Sequence, residues 1–180
     1  MDMHEHYMQM ALREAIQARE EDGVPTGCVI VQHPNGGDIA SRGRVIGRAH
    51  NQVERLKDPT AHAEMIAITQ AAATSGDWRL TDATLYVTKE PCAMCAGAIV
   101  LARIPTIVFG AVDPKRGGAV SVFNIVRHPD LIHRCEVIGG VLEPECREIL
   151  QTFFRSKRKA RNKPSAKAQS SPDAPPPAQR

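Results

Sequence analysis

The chain has 180 residues, of which 42% are hydrophobic and 24% charged, an ordinary composition for one globular domain with a sizeable core. No apolar run approaches the roughly 20 residues of a membrane-spanning helix, and the opening "MDMHEHYMQM" lacks the basic-then-apolar layout of a secretory leader, so a cytoplasmic protein with no membrane partner is expected. The net charge of +3 hides an asymmetry: residues 155–180 hold eight Lys or Arg against the single acid Asp173, a net +7 that leaves −4 for the rest, and such a basic end suits nucleic acid or a solubilising tail.

Residues 2–22 place Met8, Leu12, Ala15 and Ile16 at helical spacing until "GVP" breaks the pattern. "TGCVIVQ" and "RVIGRAHN" read as two strands of a hairpin joined by a long connection that begins "HPNGGD". A second helix is predicted from near Thr60, carrying Ala63, Ile66, Ala67 and Gln70 toward "TSGD". "ATLYVT" is the next strand, and "EPCAMCAGAIVLAR" follows as a helix with Pro91 in its first turn. "TIVFGAV" is a strand that runs into the loop "DPKRGG"; the stretch around "HPDLIH" has no clear pattern, and "EVIGGVL" is strand-like. The last helix begins at "EPEC" and carries Ile149, Leu150, Phe153 and Phe154. From Pro164 onward alanine is the only core former, and disorder is expected. One domain over residues 1–160 with a tail over 161–180 follows, and strands alternating with helices imply an α/β sandwich whose sheet is covered on both faces.

Five cysteines, an odd number, argue against a disulfide framework. Cys28, Cys135 and Cys146 lie in apolar company and read as buried thiols. Cys92 and Cys95 are different. Three apart on a helix, they project from one face, and a helix start stabilises thiolates through its unpaired N–H groups and dipole. Two thiolates are a soft donor set suited to zinc, and His62, also at a helix start, can supply an imidazole nitrogen. No second CxxC or HxxxH closes a four-ligand structural site, so three protein ligands leave a position for water, the pattern of catalytic zinc. Glu64, two residues past His62, is placed to carry protons at such a centre. Each piece has a plainer reading: Glu64 as a helix-dipole partner, the cysteines as a redox or chance core pair.

"HAE" and "PCAMC" together are the zinc deaminase signature, and "DPTAHAE", "DATLYVTKEPCAMCAGAI", "VFGAVDPKRG" and "FFRSKR" resemble the bacterial tRNA-specific adenosine deaminases, from about residue 3 to 160. The resemblance implies a cytidine-deaminase-like fold, a three-layer α/β/α sandwich with a five-stranded mixed sheet, and a homodimer acting on the wobble adenosine of a tRNA anticodon stem-loop. It implies one zinc ion per subunit on His62, Cys92 and Cys95, with Glu64 as proton shuttle. Asn51 in "AHNQ" and the backbone near Ala63 would orient the flipped base, although by residue type Asn51 is also an ordinary turn former. Asp113 and Lys115 in the loop, and Phe153, Phe154 and Arg155 in the last helix, match RNA-contacting positions. Asp-Pro is a common turn and Phe153 is at core spacing, so bracing and packing compete for these residues. Lys157, Arg158 and Lys159 would neutralise phosphates or simply solvate a helix end. The chain departs from the pattern in its long hairpin connection, at Ile132 and at Lys89. A free-base or nucleoside deaminase and a non-catalytic zinc or RNA-binding module are the alternatives.

Overall fold

The computed structural model describes residues 2–33 and 42–162. Most of the long hairpin connection and the tail from residue 163 lie outside the described residues. In chain order the elements are α1 (Met3–Glu20), β1 (Gly27–Gln32), β2 (Arg44–His50), α2 (Val53–Leu56), α3 (Ala63–Ser75), β3 (Ala83–Lys89), α4 (Ala93–Leu101), β4 (Thr106–Ala111), a 3-10 turn (Ile125–Arg127), β5 (Glu136–Gly139) and α5 (Glu143–Arg161).

The five strands form one sheet in the order β2-β1-β3-β4-β5. β1 runs antiparallel to β2 and β3, while β3, β4 and β5 are parallel, so the sheet is mixed. Strand alternation sorts the side chains to two faces. Cys28, Ile30, Leu85, Val87, Ile107 and Phe109 pack with alanines of α3 and the apolar side of α4. Val29, Val31, Tyr86 and Val108 pack with Tyr7, Met8 and Ala11 of α1 and Cys146 of α5. Three layers result, as expected. Because β1, β3 and β4 are covered on both sides, their sequences read as continuous apolar runs.

α3 lies close against β2 because Gly47 faces it: a Cβ there would meet the Ala67 carbonyl oxygen at 2.4 Å. That approach sets the depth at which the start of α3 reaches the sheet edge. The predicted boundaries shift for local reasons. Thr60 is outside α3 because its N–H and hydroxyl both donate to Asp58 Oδ1, at 2.8 and 2.7 Å, closing a turn. Pro91 precedes the α4 cap instead of occupying the first turn, since its carbonyl accepts from Gly118 N–H at 2.7 Å and Cys92 bridges to Gly117. Not every position at helical spacing faces the core. Ile16 is exposed, and Gln70 is exposed with its side-chain oxygen accepting from Arg48 N–H at 3.0 Å. On α1 the buried stripe includes Glu14 instead, which Arg48 (3.3 Å) and His50 (3.5 Å) reach from β2. α2 lies in a stretch where the sequence pattern predicts no helix. Among the described residues no helix is long and apolar enough to cross a membrane.

Candidate metal centre and substrate cleft

Four strands bring their ends to one edge of the sheet: the start of β1 and the ends of β2, β3 and β4. In open α/β sheets this edge, outside the carboxyl ends of parallel strands, is where ligands bind. α3 and α4 both begin there. His62 is the N-cap of α3 and Cys92 the N-cap of α4, each with extended backbone and no side-chain capping bond, so both side chains are turned to one another instead of to their own helices. One turn into α4, Cys95 completes the group.

His62 Nδ1 lies 3.6 Å from Cys92 Sγ and 3.4 Å from Cys95 Sγ, and the two sulfurs are 3.6 Å apart. A tetrahedral ion with metal–sulfur bonds of about 2.3 Å and metal–nitrogen bonds of about 2.0 Å spaces its donors by roughly 3.5–3.8 Å. The triangle comes within a few tenths of an ångström of that spacing. Protonation tells the same story: the Cys92 thiol is pulled down to about 3 by the bond from Cys95 and, against burial, by His62. Cys95 is pushed up by that bond and by burial, and contact with Cys92 raises His62 despite burial. Metal binding needs deprotonated ligands, and the lowered Cys92 thiol meets that need.

Glu64 is 3% exposed, in the first turn of α3, and burial raises its pKa above the ordinary carboxylate value. It lines a cleft of about 710 Å³, mouth included, with His62, Cys92, Ala63 and Asn51. The Ala63 N–H belongs to the first turn of α3, where a helix has no carbonyl of its own to offer. Asn51 follows β2, its Oδ1 accepting from Val53 N–H at 3.2 Å and its Nδ2 donating to the Val24 carbonyl at 3.4 Å. Asn51 is therefore a turn former and a cleft residue at once.

A profile of the MafB19-like deaminase family matches residues 2–158. A Streptococcus pyogenes (serotype M18) protein named tRNA-specific adenosine deaminase is 46% identical over 153 residues, covering 85% of this chain and 91% of that protein. One of the same name from Aquifex aeolicus is 47% identical over 154 residues, covering 86% and 95%. The chain belongs to the tRNA-specific adenosine deaminase family. A solved structure from a study of A-to-I editing by tRNA:A34 deaminases at the wobble position of transfer RNA superposes on this deaminase with a TM-score of 0.72 at 45% identity, covering 81% of this chain and 99% of that one.

The deaminase gathers His62, Ala63, Glu64, Cys92 and Asn51 around the cleft, with Cys95 behind, and leaves the other expected residues apart. Asp113 is buried, its Oδ1 accepting from the N–H groups of Lys115 (3.1 Å) and Arg116 (3.2 Å) and its Oδ2 facing Lys89 Nζ at 2.6 Å. Lys115 points to solvent, and it is Arg116 that lines the cleft. Phe153 is buried and Phe154 40% exposed; both line a second groove between α1, α2 and α5, which shares Val24 and Glu54 with the first cleft. Arg155 is exposed on α5 away from both.

Glu90 has no place among the residues predicted from the sequence. It is 2% exposed at the end of β3, and its carboxylate accepts from Asp113 N–H (3.0 Å), Val120 N–H (2.8 Å), Ser121 N–H (2.9 Å) and the Ser121 hydroxyl. It thus ties the loop after β4 to the cleft wall. Gly117 makes room for it, since a Cβ there would meet the carboxylate at 2.4 Å. The glycine pair in "KRGG" is the one trace of this contact in the sequence.

Proposed function

We propose that the protein binds zinc through His62, Cys92 and Cys95 and hydrolytically deaminates adenosine to inosine at the wobble position of tRNA anticodons. The observation that carries the reading is a buried carboxylate, Glu64, set beside a three-donor triangle at the floor of a cleft large enough for a base. When bound, zinc supplies Lewis acidity that makes water a usable nucleophile near neutral pH. Glu64 takes a first proton from the water and passes it to the ring nitrogen next to the reacting carbon; as the new hydroxyl becomes a carbonyl, Glu64 takes its remaining proton and hands it to the amine, which leaves as ammonia. Its raised pKa suits a group that must both accept and donate. The Ala63 N–H and the Asn51 amide orient the base, and the buried floor excludes bulk water from it. The target nucleotide must leave its stack to enter.

The exposed faces of α5 and the groove along Phe153, Phe154 and Lys157 receive the stem-loop, with Arg155 and Lys115 as outlying cations. Asp113 serves this surface by shaping its loop from within. We also infer a homodimer, for which exposed Leu101, Val120, Val122 and Phe123 offer apolar surface of the kind a second copy covers, and a cytoplasmic location, where tRNA is found.

The test is inosine formation from an anticodon stem-loop carrying adenosine at the wobble position. Wild-type protein is expected to make inosine. Glu64→Ala should retain its metal by elemental analysis while losing on the order of 10²–10⁴ in rate, the share of a general acid–base. Turnover of free bases with none of the stem-loop, or an active Glu64→Ala, would defeat the assignment.

A further inference from the structure

Lys89 ends β3 at the edge where the cleft opens, and Lys89 and Arg116 are the two Lys or Arg side chains lining it among the described residues. Asp113 faces both: Lys89 Nζ at 2.6 Å and Arg116 Nε at 3.8 Å. The two oxygens of Asp113 have different duties. Oδ1 accepts the N–H groups of Lys115 and Arg116 and so holds the loop turn by itself. Oδ2 is buried and, among the described residues, accepts no well-directed hydrogen bond and meets the two cations alone. The loop therefore does not need Lys89 to keep its shape. The other carboxylates of the cleft are engaged elsewhere: Glu90 accepts the four donors of the loop, Glu64 sits at the metal triangle, and Glu54 is on the surface facing Lys57 at 3.7 Å. Asp113 is thus the one carboxylate that Lys89 and Arg116 share.

A nucleotide whose base enters the cleft keeps its phosphates outside, at the cleft's rim. A lysine has a flexible four-carbon stem and three rotatable donors, and can exchange a carboxylate oxygen for a phosphate oxygen by a small swing. We propose that Lys89 is a substrate-binding residue: its ammonium rests on Asp113 Oδ2 in the free protein and moves to a phosphate flanking the target adenosine when the base is in place. This deepens the reading above and rests on it, since a free base has no phosphate for Lys89 to hold.

The experiment uses zinc-loaded wild type, Lys89→Met, Lys89→Arg and the double variant Lys89→Met/Asp113→Asn, which removes the ion pair without leaving a buried charge. Each is assayed on three stem-loops: the natural one, and two in which either phosphate flanking the wobble adenosine is a neutral methylphosphonate. Lys89→Met is expected to raise KM about tenfold, the low end for a hydrogen bond to a charged group, with kcat within about twofold. Its salt slope should fall by about 0.7 for the one lost phosphate contact. Lys89→Arg should recover most of the loss. One methylphosphonate should cost the wild type about the same tenfold and cost Lys89→Met and the double variant nothing. Losses that multiply independently, or a fall in kcat with KM unmoved, would mean that Lys89 only braces Asp113 and would overturn the proposal. Should Lys89→Met fail to fold, the double variant and Lys89→Arg decide the matter. No inosine from the natural stem-loop with wild type would overturn the substrate assignment and this proposal together, whereas inosine without coupling overturns this proposal alone.

Discussion

Replacing Glu90 by glutamine changes one oxygen into an amide nitrogen and nothing else in shape. The carboxylate now serves four donors, two on each oxygen: Val120 and Ser121 N–H on Oε1, Asp113 N–H and the Ser121 hydroxyl on Oε2. Glutamine keeps one oxygen and turns an NH₂ toward the other pair. The Ser121 hydroxyl can rotate to accept from it, but the Asp113 N–H cannot, and a donor faces a donor. Hydrogen bonds to a charged group contribute about 1.5–3 kcal/mol each. Losing one outright and weakening the rest should destabilise the protein by about 3 kcal/mol at pH 7. The loop that Glu90 holds carries Asp113 and Arg116, so kcat/KM should fall as well.

The pH dependence of that cost is fixed by the sign of the shift. Burial pushes the Glu90 carboxyl up, but its bonds to Ser121, Val120 and Asp113 outweigh it and hold the group below the ordinary range. A carboxylate depressed on folding stabilises fully above its unfolded pKa, about 4.3, and loses that stabilisation as pH falls through the folded value. The gap between wild type and Glu90→Gln should therefore be widest at neutral pH and narrow below about pH 4.3. Urea denaturation of both zinc-loaded proteins across this range measures it, metal release at acid pH being common to the pair. A gap under about 1 kcal/mol at pH 7, or one that does not change with pH, would refute the account of Glu90 as the tie of the loop.

Removal of zinc with a chelator should abolish deamination and lower the melting temperature, and added zinc should restore both; an ion at a thousandfold excess over its Kd contributes about 4 kcal/mol. Activity that survives exhaustive chelation would contradict the role given to His62, Cys92 and Cys95. The two phenylalanines of α5 should separate: Phe153→Ala, at a buried core position, should cost about 3–4 kcal/mol of stability. Phe154→Ala should leave the urea midpoint nearly unchanged and weaken stem-loop binding in a gel-shift or anisotropy titration; an equal loss of stability for both would show that Phe154 is packing too.

Much of the centre could be read along the chain because its parts are local. His62 with Glu64, and Cys92 with Cys95, are spacings of two and three residues at helix starts, where an N-terminal turn already favours anions and thiolates. What the chain does not display is which local pieces meet. "KEPC" reads as two surface charges before a helix, yet Glu90 is buried and Lys89 half-buried, because a loop some 30 residues later folds down on them. No period in either segment encodes that contact, and only a Cβ-free position at Gly117 records it.

Periodicity fails for the same reason where it fails at all. On α1 Glu14 and Ile16, two residues apart, point to nearly opposite sides, and hydrophobicity favours the side of Ile16. Glu14 is the one buried because Arg48 and His50, neighbours in β2, arrive with partners for both of its oxygens. A carboxylate with its partners supplied can be buried, whereas the isoleucine lies on the side of the helix turned to solvent. Phe153 and Phe154 make the converse case: consecutive residues of one type cannot share a helix face, and of the two in the groove beside the cleft the first is buried while the second stays at the surface. Residue type therefore marks which side chains can serve the site, whereas the register of the covering element decides which of them do.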